Sequence, residues 1–167
     1  MRARIDFMIA GSEVERYHTV RTIQRETVGH HSHGVAMFVL MMYEGDSEVS
    51  EWALHQALFH DLAEHLLGDI PAPAKRAYGI GAQVQKEETR LLSAYGFERI
   101  LTERGERRLK LADIFQGMVF CIREIELGNK AMRVVYHRYK SYADSLLPVG
   151  KEQEVYDALH ERYMEAL

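Results

Sequence analysis

An all-α helical bundle is the fold this sequence predicts, and three observations predict it. Only three prolines occur, at positions 71, 73 and 148, so long stretches are free to be helical. Strand signals are weak, with no Asn-Gly or Asp-Gly pair and no sustained apolar/polar alternation. From Gln83 onward the chain reads as four helices separated by short breaks, the pattern of a bundle. With 167 residues and no internal repeat, low-complexity tract or linker, residues 1–167 are expected to form a single domain with a sizeable core.

The elements follow in order. Met1 to Ile9 predicts a helix that stops near Gly11. Glu13 to Gly29 is polar and predicts a short helix and then a loop carrying Arg16, Tyr17, His18, Arg21 and Arg25. His31 to Tyr43 predicts a helix whose apolar run, Val35 to Met42, is too continuous for one exposed stripe, so it is buried on most sides. Gly45-Asp46-Ser47 predicts a break, and Ser47 suits the cap of a helix from about Glu48 to Leu67, with Ser50 and Glu51 in its first turn. Gly68 to Pro73, with two prolines one residue apart, predicts a stiff extended connection leading to Lys75 and Arg76. A helix from Gln83 to Tyr95, a short helical turn from Phe97 to Thr102 and a long helix from Glu106 to Leu127 come next, the last stopped by Gly128-Asn129. Two helices, Lys130 to Leu146 and Lys151 to Ala166, complete the chain.

Composition narrows the function. A 47% hydrophobic and 28% charged chain is ordinary for a soluble globular protein. A net charge of −4 argues against a nucleic-acid polymer as partner, while leaving room for a local basic pocket. The single cysteine, Cys121, can form no internal disulfide and suits packing in a reducing compartment. With no signal-peptide core and no membrane-length apolar run, the expectation is a cytoplasmic protein, or one of host cytoplasm if phage-encoded, with no membrane partner. Nine histidines are many, and five of them fall between His30 and His60.

The chemistry centres on Ala57 to Glu64, where His60-Asp61 sits in an apolar run. On a helix the two side chains point about 100° apart and can converge on an ion beside the axis. Glu64, four residues after His60, lies over the same face. Imidazole nitrogen and carboxylate oxygen are ligands for a divalent transition metal, and a neighbouring carboxylate suits proton handling for a water that such an ion activates. A buried polar pair that satisfies itself reads equally well from the octet alone. Asp113, among Leu109, Ala112, Ile114 and Phe115, is costly to bury without a partner. A metal ion would resolve that cost, and so would a salt bridge to Lys110 or an arginine. His30-His31-Ser32-His33 offers three imidazoles, of which at least one can face inward, or all can be polar surface. His55 and His65 read as non-ligands. Arg16, Arg21, Lys75, Arg76 and Lys110 suit phosphate recognition or a solvated surface, and Tyr17 suits stacking on a base or packing.

Together, Arg16-Tyr17, the run Glu26 to Ser32, His60-Asp61 with Glu64, the run Gly68-Asp69-Ile70-Pro71-Ala72-Pro73-Ala74-Lys75, and Lys110 to Asp113 resemble the HD-domain phosphohydrolases. Within them they resemble the YfbR-like 5′-deoxynucleotidases and the compact phage dATP triphosphohydrolases. The resemblance implies an all-α HD domain holding one divalent ion, Zn²⁺, Co²⁺ or Mn²⁺, on His31, His60, Asp61 and Asp113, with further Mg²⁺ accompanying a triphosphate. It implies Glu64 as catalytic carboxylate and Asp69 as a second one near the substrate. Arg16 then holds phosphate or sugar; Tyr17, Arg21, Lys75, Arg76 and Lys110 are the further candidate substrate contacts, on their chemistry and their place beside these motifs. The family's Glu-His-Ser triplet is His30-His31-Ser32 here, so the acidic neighbour is lost; Tyr17 replaces a Trp, and His18 stands near a family Pro. These departures bear on base preference.

The short segment between Asp61 and Asp113 and the trimmed C-terminal part look more like the phage type, which cuts dATP to deoxyadenosine and triphosphate. The alternatives are a 5′-deoxynucleotidase acting on dNMPs and a nucleotide-binding helical module without hydrolysis. The Gly68–Lys75 run and Arg16-Tyr17 point away from cyclic dinucleotides and (p)ppGpp. A homo-oligomer, dimer or hexamer, is expected.

Overall fold

The computed structural model describes residues 1–43 and 51–167. Among these the secondary structure is helical, with one isolated antiparallel bridge between Glu15 and Thr27. No helix among the described residues is long and apolar enough to cross a membrane. The expected break at Gly45–Ser47, the Ser47 cap and the helix start near Glu48 lie outside the described residues.

Helix α1 spans Arg2–Ser12. It runs through Gly11 rather than stopping there, because Gly11 is a point of close approach: a Cβ would stand 2.6 Å from the Leu62 carbonyl oxygen. The expected short helix after Glu13 does not form. Instead the segment is a loop closed at its neck, with Arg16 N donating to Glu26 O at 2.9 Å and Val28 N donating to Val14 O at 2.9 Å. Its far side is held by the fully buried Glu124, whose carboxylate accepts from Ile23 N and Gln24 N, both at 2.7 Å, and from Asn129 Nδ2 at 2.8 Å.

Helix α2 spans Val28–Met42, three residues earlier at its start than the sequence suggested, because the Thr27 hydroxyl caps it by accepting from His30 N. The expected helix through the His-Asp pair is broken there. Helix α3, Glu51–Phe59, and α4, Glu64–Leu67, flank a tight turn in which Leu62 N donates to Phe59 O at 3.2 Å and Glu64 N to Asp61 O at 3.0 Å, one residue short of α-helical spacing. The Gly68–Pro73 stretch is extended only as far as Pro71. Pro71 caps the six-residue α5, Ala72–Ala77, and Pro73 falls in the first turn, where its missing N–H costs nothing. Helix α6 spans Gly81–Ala94. The turn expected over Phe97–Thr102 is not helical; Phe97 is buried among aromatic rings instead. Thr102 caps α7, Glu103–Glu126, and α8, Met132–Ser145, and α9, Lys151–Glu165, follow.

The core lies along α7. Its Leu111, Phe115, Met118 and Ile122 pack with Val35, Val39 and Met42 of α2, Tyr136 of α8 and Tyr156 and Tyr163 of α9. Close contact between α2 and α7 rests on Gly34, where a Cβ would come within 2.7 Å of Gln116 Cγ. A smaller cluster of Phe7, Leu62, Ala63, Leu91, Leu92 and Phe97 sets the His-Asp turn against α1 and α6. Both ends of the 13–27 loop are thus anchored to the bundle, and Glu124 holds its middle. Glu124→Ala is expected to lose about 1.5–3 kcal/mol of stability, the scale of hydrogen bonds to a charged group. A lowered denaturant midpoint with faster tryptic cleavage after Arg21 or Arg25 is the expected result; an unchanged midpoint contradicts it.

Candidate metal and phosphate site

Three elements bring the polar residues together. His31 lies on α2 one turn past the Thr27 cap and is fully buried, while His30 and His33 on either side of it are exposed. His60 and Asp61 come from the tight turn, and Asp113 from the middle of α7. One ligand atom each from His31, His60 and Asp113 lies within 4.8 Å of the others. His31 Nε2 stands 3.3 Å from Asp113 Oδ1 and 3.5 Å from Asp61 Oδ2, and His60 Nε2 stands 3.4 Å from Asp61 Oδ1. His55 and His65 pack elsewhere, His55 edge-on to Phe59, and His65 edge-on to Phe7 with Nδ1 2.7 Å from Leu62 O.

The ring orientations are set from behind. His60 Nδ1 lies 3.1 Å from Ala57 O, and a carbonyl only accepts, so that nitrogen donates and Nε2 keeps its lone pair. Both Nε2 atoms are buried without a hydrogen-bond partner. Buried ring nitrogens that face carboxylate oxygens without a hydrogen bond are unsatisfied, and a cation placed among them resolves this. Residues and geometry therefore fit a divalent ion with mixed nitrogen and oxygen donors.

Cations already attend the carboxylates from outside. Arg16 Nη1 donates to Asp61 Oδ2 at 2.7 Å, with its Nε 3.4 Å from Glu26 Oε2. Lys110 Nζ donates to Asp113 Oδ2 at 2.6 Å, so the salt bridge weighed for Asp113 and its approach to His31 coexist, one oxygen each. Burial would raise Asp113, but Lys110, His31 and His60 outweigh it and hold the carboxyl well below its ordinary range. For Asp61 burial is likewise outweighed, by His60, Arg16 and His31. Glu64 behaves oppositely. Burial, then the Asp61 and Asp69 carboxylates, push it up to about 10, and its Oε2 is buried without a partner.

Beside this cluster opens a cavity of about 150 Å³ lined by Tyr17, Val20, Asp69, Arg76, Arg138 and Tyr139 among others. Tyr17 has φ +60, a conformation that costs a non-glycine residue about 1–2 kcal/mol. Its ring stacks on Phe120 at 4.4 Å and its hydroxyl lies 2.9 Å from that of Tyr139, which hold it there. Asp69 Oδ2 is 3.5 Å from His18 Nδ1. Of the other expected phosphate contacts, Lys75 is paired with Glu88 of α6 at 3.1 Å, and Arg76 lies 4.7 Å over the Tyr142 ring. Arg21 is exposed, and its carbonyl accepts from Asn129.

Sequence reading passed over Gln116, Arg138 and Tyr139, and gave Glu26 a place in the family run but no role. A signal existed for Gln116: it is a polar residue in an apolar helix, three positions after Asp113 and so on the same face. Arg138 and Tyr139 had none, because α8 reaches the cavity only through tertiary packing, with Tyr139 seated where a Cβ on Gly117 would collide.

Comparison with known proteins follows the same lines. The family model for the HD domain matches residues 13–119. No curated protein matches the chain. Among solved structures, the PH0347 protein from Pyrococcus horikoshii OT3 has TM-score 0.74 at 19% identity, covering 98% of this chain and 99% of that one. An HD-domain phosphohydrolase (lin2634) from Listeria innocua has TM-score 0.76 at 14% identity, covering 98% and 89%. The cyanophage S-2L HD phosphohydrolase DatZ, described as bound to dA and one catalytic Zn²⁺ ion, has TM-score 0.63 at 18% identity, covering 96% and 94%.

Because a raised carboxyl keeps its proton until the pH approaches its shifted value, Glu64 in the metal-free protein is expected to be protonated at neutral pH and to ionise on the alkaline side, near 10. Carboxyl ¹³C NMR across pH reads this directly. A Glu64 signal titrating in the ordinary carboxylate range contradicts it.

Proposed function

Starting from the premise that this chain belongs to the HD domain family, we propose that residues 1–167 form one metal-dependent phosphohydrolase domain that cuts the 5′ phosphoester of a deoxynucleotide at the α-phosphorus. The observation that carries this reading is the pair of buried Nε2 atoms of His31 and His60, which have no hydrogen-bond partner and face Asp113 and Asp61. His31, His60, Asp61 and Asp113 would hold one Zn²⁺, Co²⁺ or Mn²⁺ ion. When bound, that ion supplies Lewis acidity to a phosphoryl oxygen and lowers the pKa of water.

The chain's own groups do the rest. Glu64 has a carboxyl oxygen free of hydrogen bonds and a proton that burial retains. A cation held among the four ligands would make that carboxyl lose its proton more readily, and Glu64 could then take a proton from the attacking water and return one to the 5′ oxygen. Asp69, in the adjoining cavity beside His18, is the second carboxylate in reach of substrate. Arg16 and Lys110, each on one oxygen of a ligand carboxylate, hold Asp61 and Asp113 ionised and add positive potential where phosphate charge develops.

The cavity supports a deoxynucleoside, the chemistry named for the cyanophage relative bound to dA. Tyr17 and Val20 are among the lining residues, and their bulk would suit a sugar without a 2′ hydroxyl, since a missing group is selected by exclusion rather than by a hydrogen bond. A purine triphosphate, dATP first, is favoured because Arg76 and Arg138 line this cavity and neither is in an ion pair among the described residues. The deoxynucleoside monophosphate is the second reading. It is favoured by the pairing of Lys75 with Glu88, which leaves less charge for a polyphosphate tail.

Three outcomes are expected. Asp61→Ala loses bound metal, read by elemental analysis, and loses turnover with it; retention of stoichiometric metal contradicts the ligand assignment. Glu64→Gln keeps its metal and falls about 10²–10⁴-fold in kcat, the scale of a positioned acid or base; near-wild-type kcat removes Glu64 from the reaction. Product analysis with dATP and dAMP side by side should show inorganic triphosphate from dATP. Phosphate from dAMP with dATP untouched selects the monophosphatase, and binding of either without turnover selects a non-hydrolysing module.

A further inference from the structure

From the ligand cluster runs a buried chain of polar groups. His31 Nδ1 lies 2.5 Å from Gln116 Oε1, Gln116 Nε2 lies 2.6 Å from Glu26 Oε1, and Glu26 Oε2 lies 3.4 Å from Arg16 Nε. Arg16 in turn holds Asp61 at 2.7 Å. His31, Gln116 and Glu26 are 0%, 7% and 6% exposed, so water has little access to reshuffle these bonds.

The order of donors along this chain is forced from one end. A carboxylate beside the Arg16 guanidinium only accepts, so the Gln116 amide must turn its NH₂ toward Glu26. That leaves the amide oxygen for His31, and an amide oxygen also only accepts. His31 must then carry a proton on Nδ1, so in the neutral imidazole Nε2 keeps the lone pair, facing Asp113 and Asp61. The amide cannot rotate to favour the other tautomer without placing oxygen against carboxylate, a repulsion in a poorly screened space. Position reinforces direction. Glu26 is fixed by its backbone bond to Arg16 N across the neck of the loop, and Gln116 rests on Gly34, where no side chain competes for the space.

We propose that Gln116, oriented by Glu26, is a positioning residue that locks His31 in the Nδ1–H tautomer and so presents Nε2 as a preformed donor to the metal ion. The inference rests on reading the cluster as a metal centre, but the tautomer itself does not need the metal. Outer partners of this kind fix the orientation and tautomer of a ligating histidine, and removing one typically weakens metal binding about 10–100-fold.

The test uses the full chain, ¹⁵N-labelled at histidine and stripped of metal. Long-range ¹H–¹⁵N spectra, with His31 assigned by its loss in His31→Asn, report which ring nitrogen bears the proton. Wild type is expected to show His31 as Nδ1–H, and Gln116→Leu to show a mixture. In a Co²⁺ titration followed by visible absorption, Gln116→Leu should bind about 10–100-fold more weakly than wild type. The pair Glu26→Gln with Gln116→Glu reverses the direction of one bond yet still offers His31 an acceptor, so it should recover both the tautomer and the affinity. A role in packing alone would leave the His31 tautomer unchanged in Gln116→Leu. An Nε2–H tautomer in wild type overturns the proposal, as do an unchanged tautomer and affinity in Gln116→Leu. If Gln116→Leu loses its helical circular dichroism, the wild-type spectrum and the double exchange decide the matter by the same criteria. A wild type that shows the lock but binds no Co²⁺ supports the tautomer argument and overturns the proposed function instead.

Discussion

Buried lone pairs facing one another are the constraint around which the rest of this structure is arranged. Two imidazole nitrogens and two carboxylates meet near the middle of the bundle, and each unsatisfied polar group there costs about 1–3 kcal/mol. Everything nearby reduces or directs that cost. Arg16 takes one oxygen of Asp61 and Lys110 one oxygen of Asp113, while Ala57 O and the Gln116 amide occupy the outward nitrogens of the histidines. What none of these touches is His31 Nε2, His60 Nε2, Asp113 Oδ1 and Asp61 Oδ1. That set suits positive charge, and a cation held there would satisfy it.

The backbone makes the same point. An uninterrupted helix through His60 and Asp61 would place them about 100° apart around one axis. The structure instead tightens after Phe59, and buried Leu62 and Ala63 hold the turn against Gly11 of α1. A methyl group at position 11 would meet the Leu62 carbonyl before anything else, so the placement of Asp61 depends on a glycine in a helix otherwise remote from the chemistry. The 13–27 loop depends on an equally remote group. Glu124, at the far end of α7 from Asp113, draws two loop amides inward, while the neck of the loop fixes Arg16 and Glu26. Helix α7 therefore carries Asp113, the Gln116 that bonds His31, and the anchor of the loop that supplies Arg16 and Tyr17.

What could be read from the chain alone was of two kinds. Scarcity of proline, weak strand signals and apolar helical runs were enough for an all-α bundle, because helix formation depends on neighbours three and four residues apart. The motif residues His60-Asp61, Glu64 and the Gly68–Lys75 run were legible as a family pattern, and HD domain membership follows from residues 13–119. Local capping was partly legible too, though Thr27 and Thr102 began α2 and α7 three residues before the positions inferred from apolar content.

Tertiary structure decided the rest, for reasons that no local pattern encodes. Whether Asp113 pairs with Lys110 or faces the histidines was undecidable along the sequence, and packing of α2 on α7 let it do both with different oxygens. His31 was separated from His30 and His33 only by which face of α2 meets the core. Arg16, taken as a substrate contact, is turned onto Asp61 and Glu26 because the loop neck holds it there, and Lys75 meets Glu88 because α5 folds back along α6. The sequence by itself determined the helical class and the supply of ligating residues, since both are properties of residue type and short-range spacing. Which lone pairs point at which, and which cations remain for a substrate, was decided by contacts between residues up to 122 positions apart, as in the meeting of Tyr17 and Tyr139, and such contacts exist only once the bundle has closed.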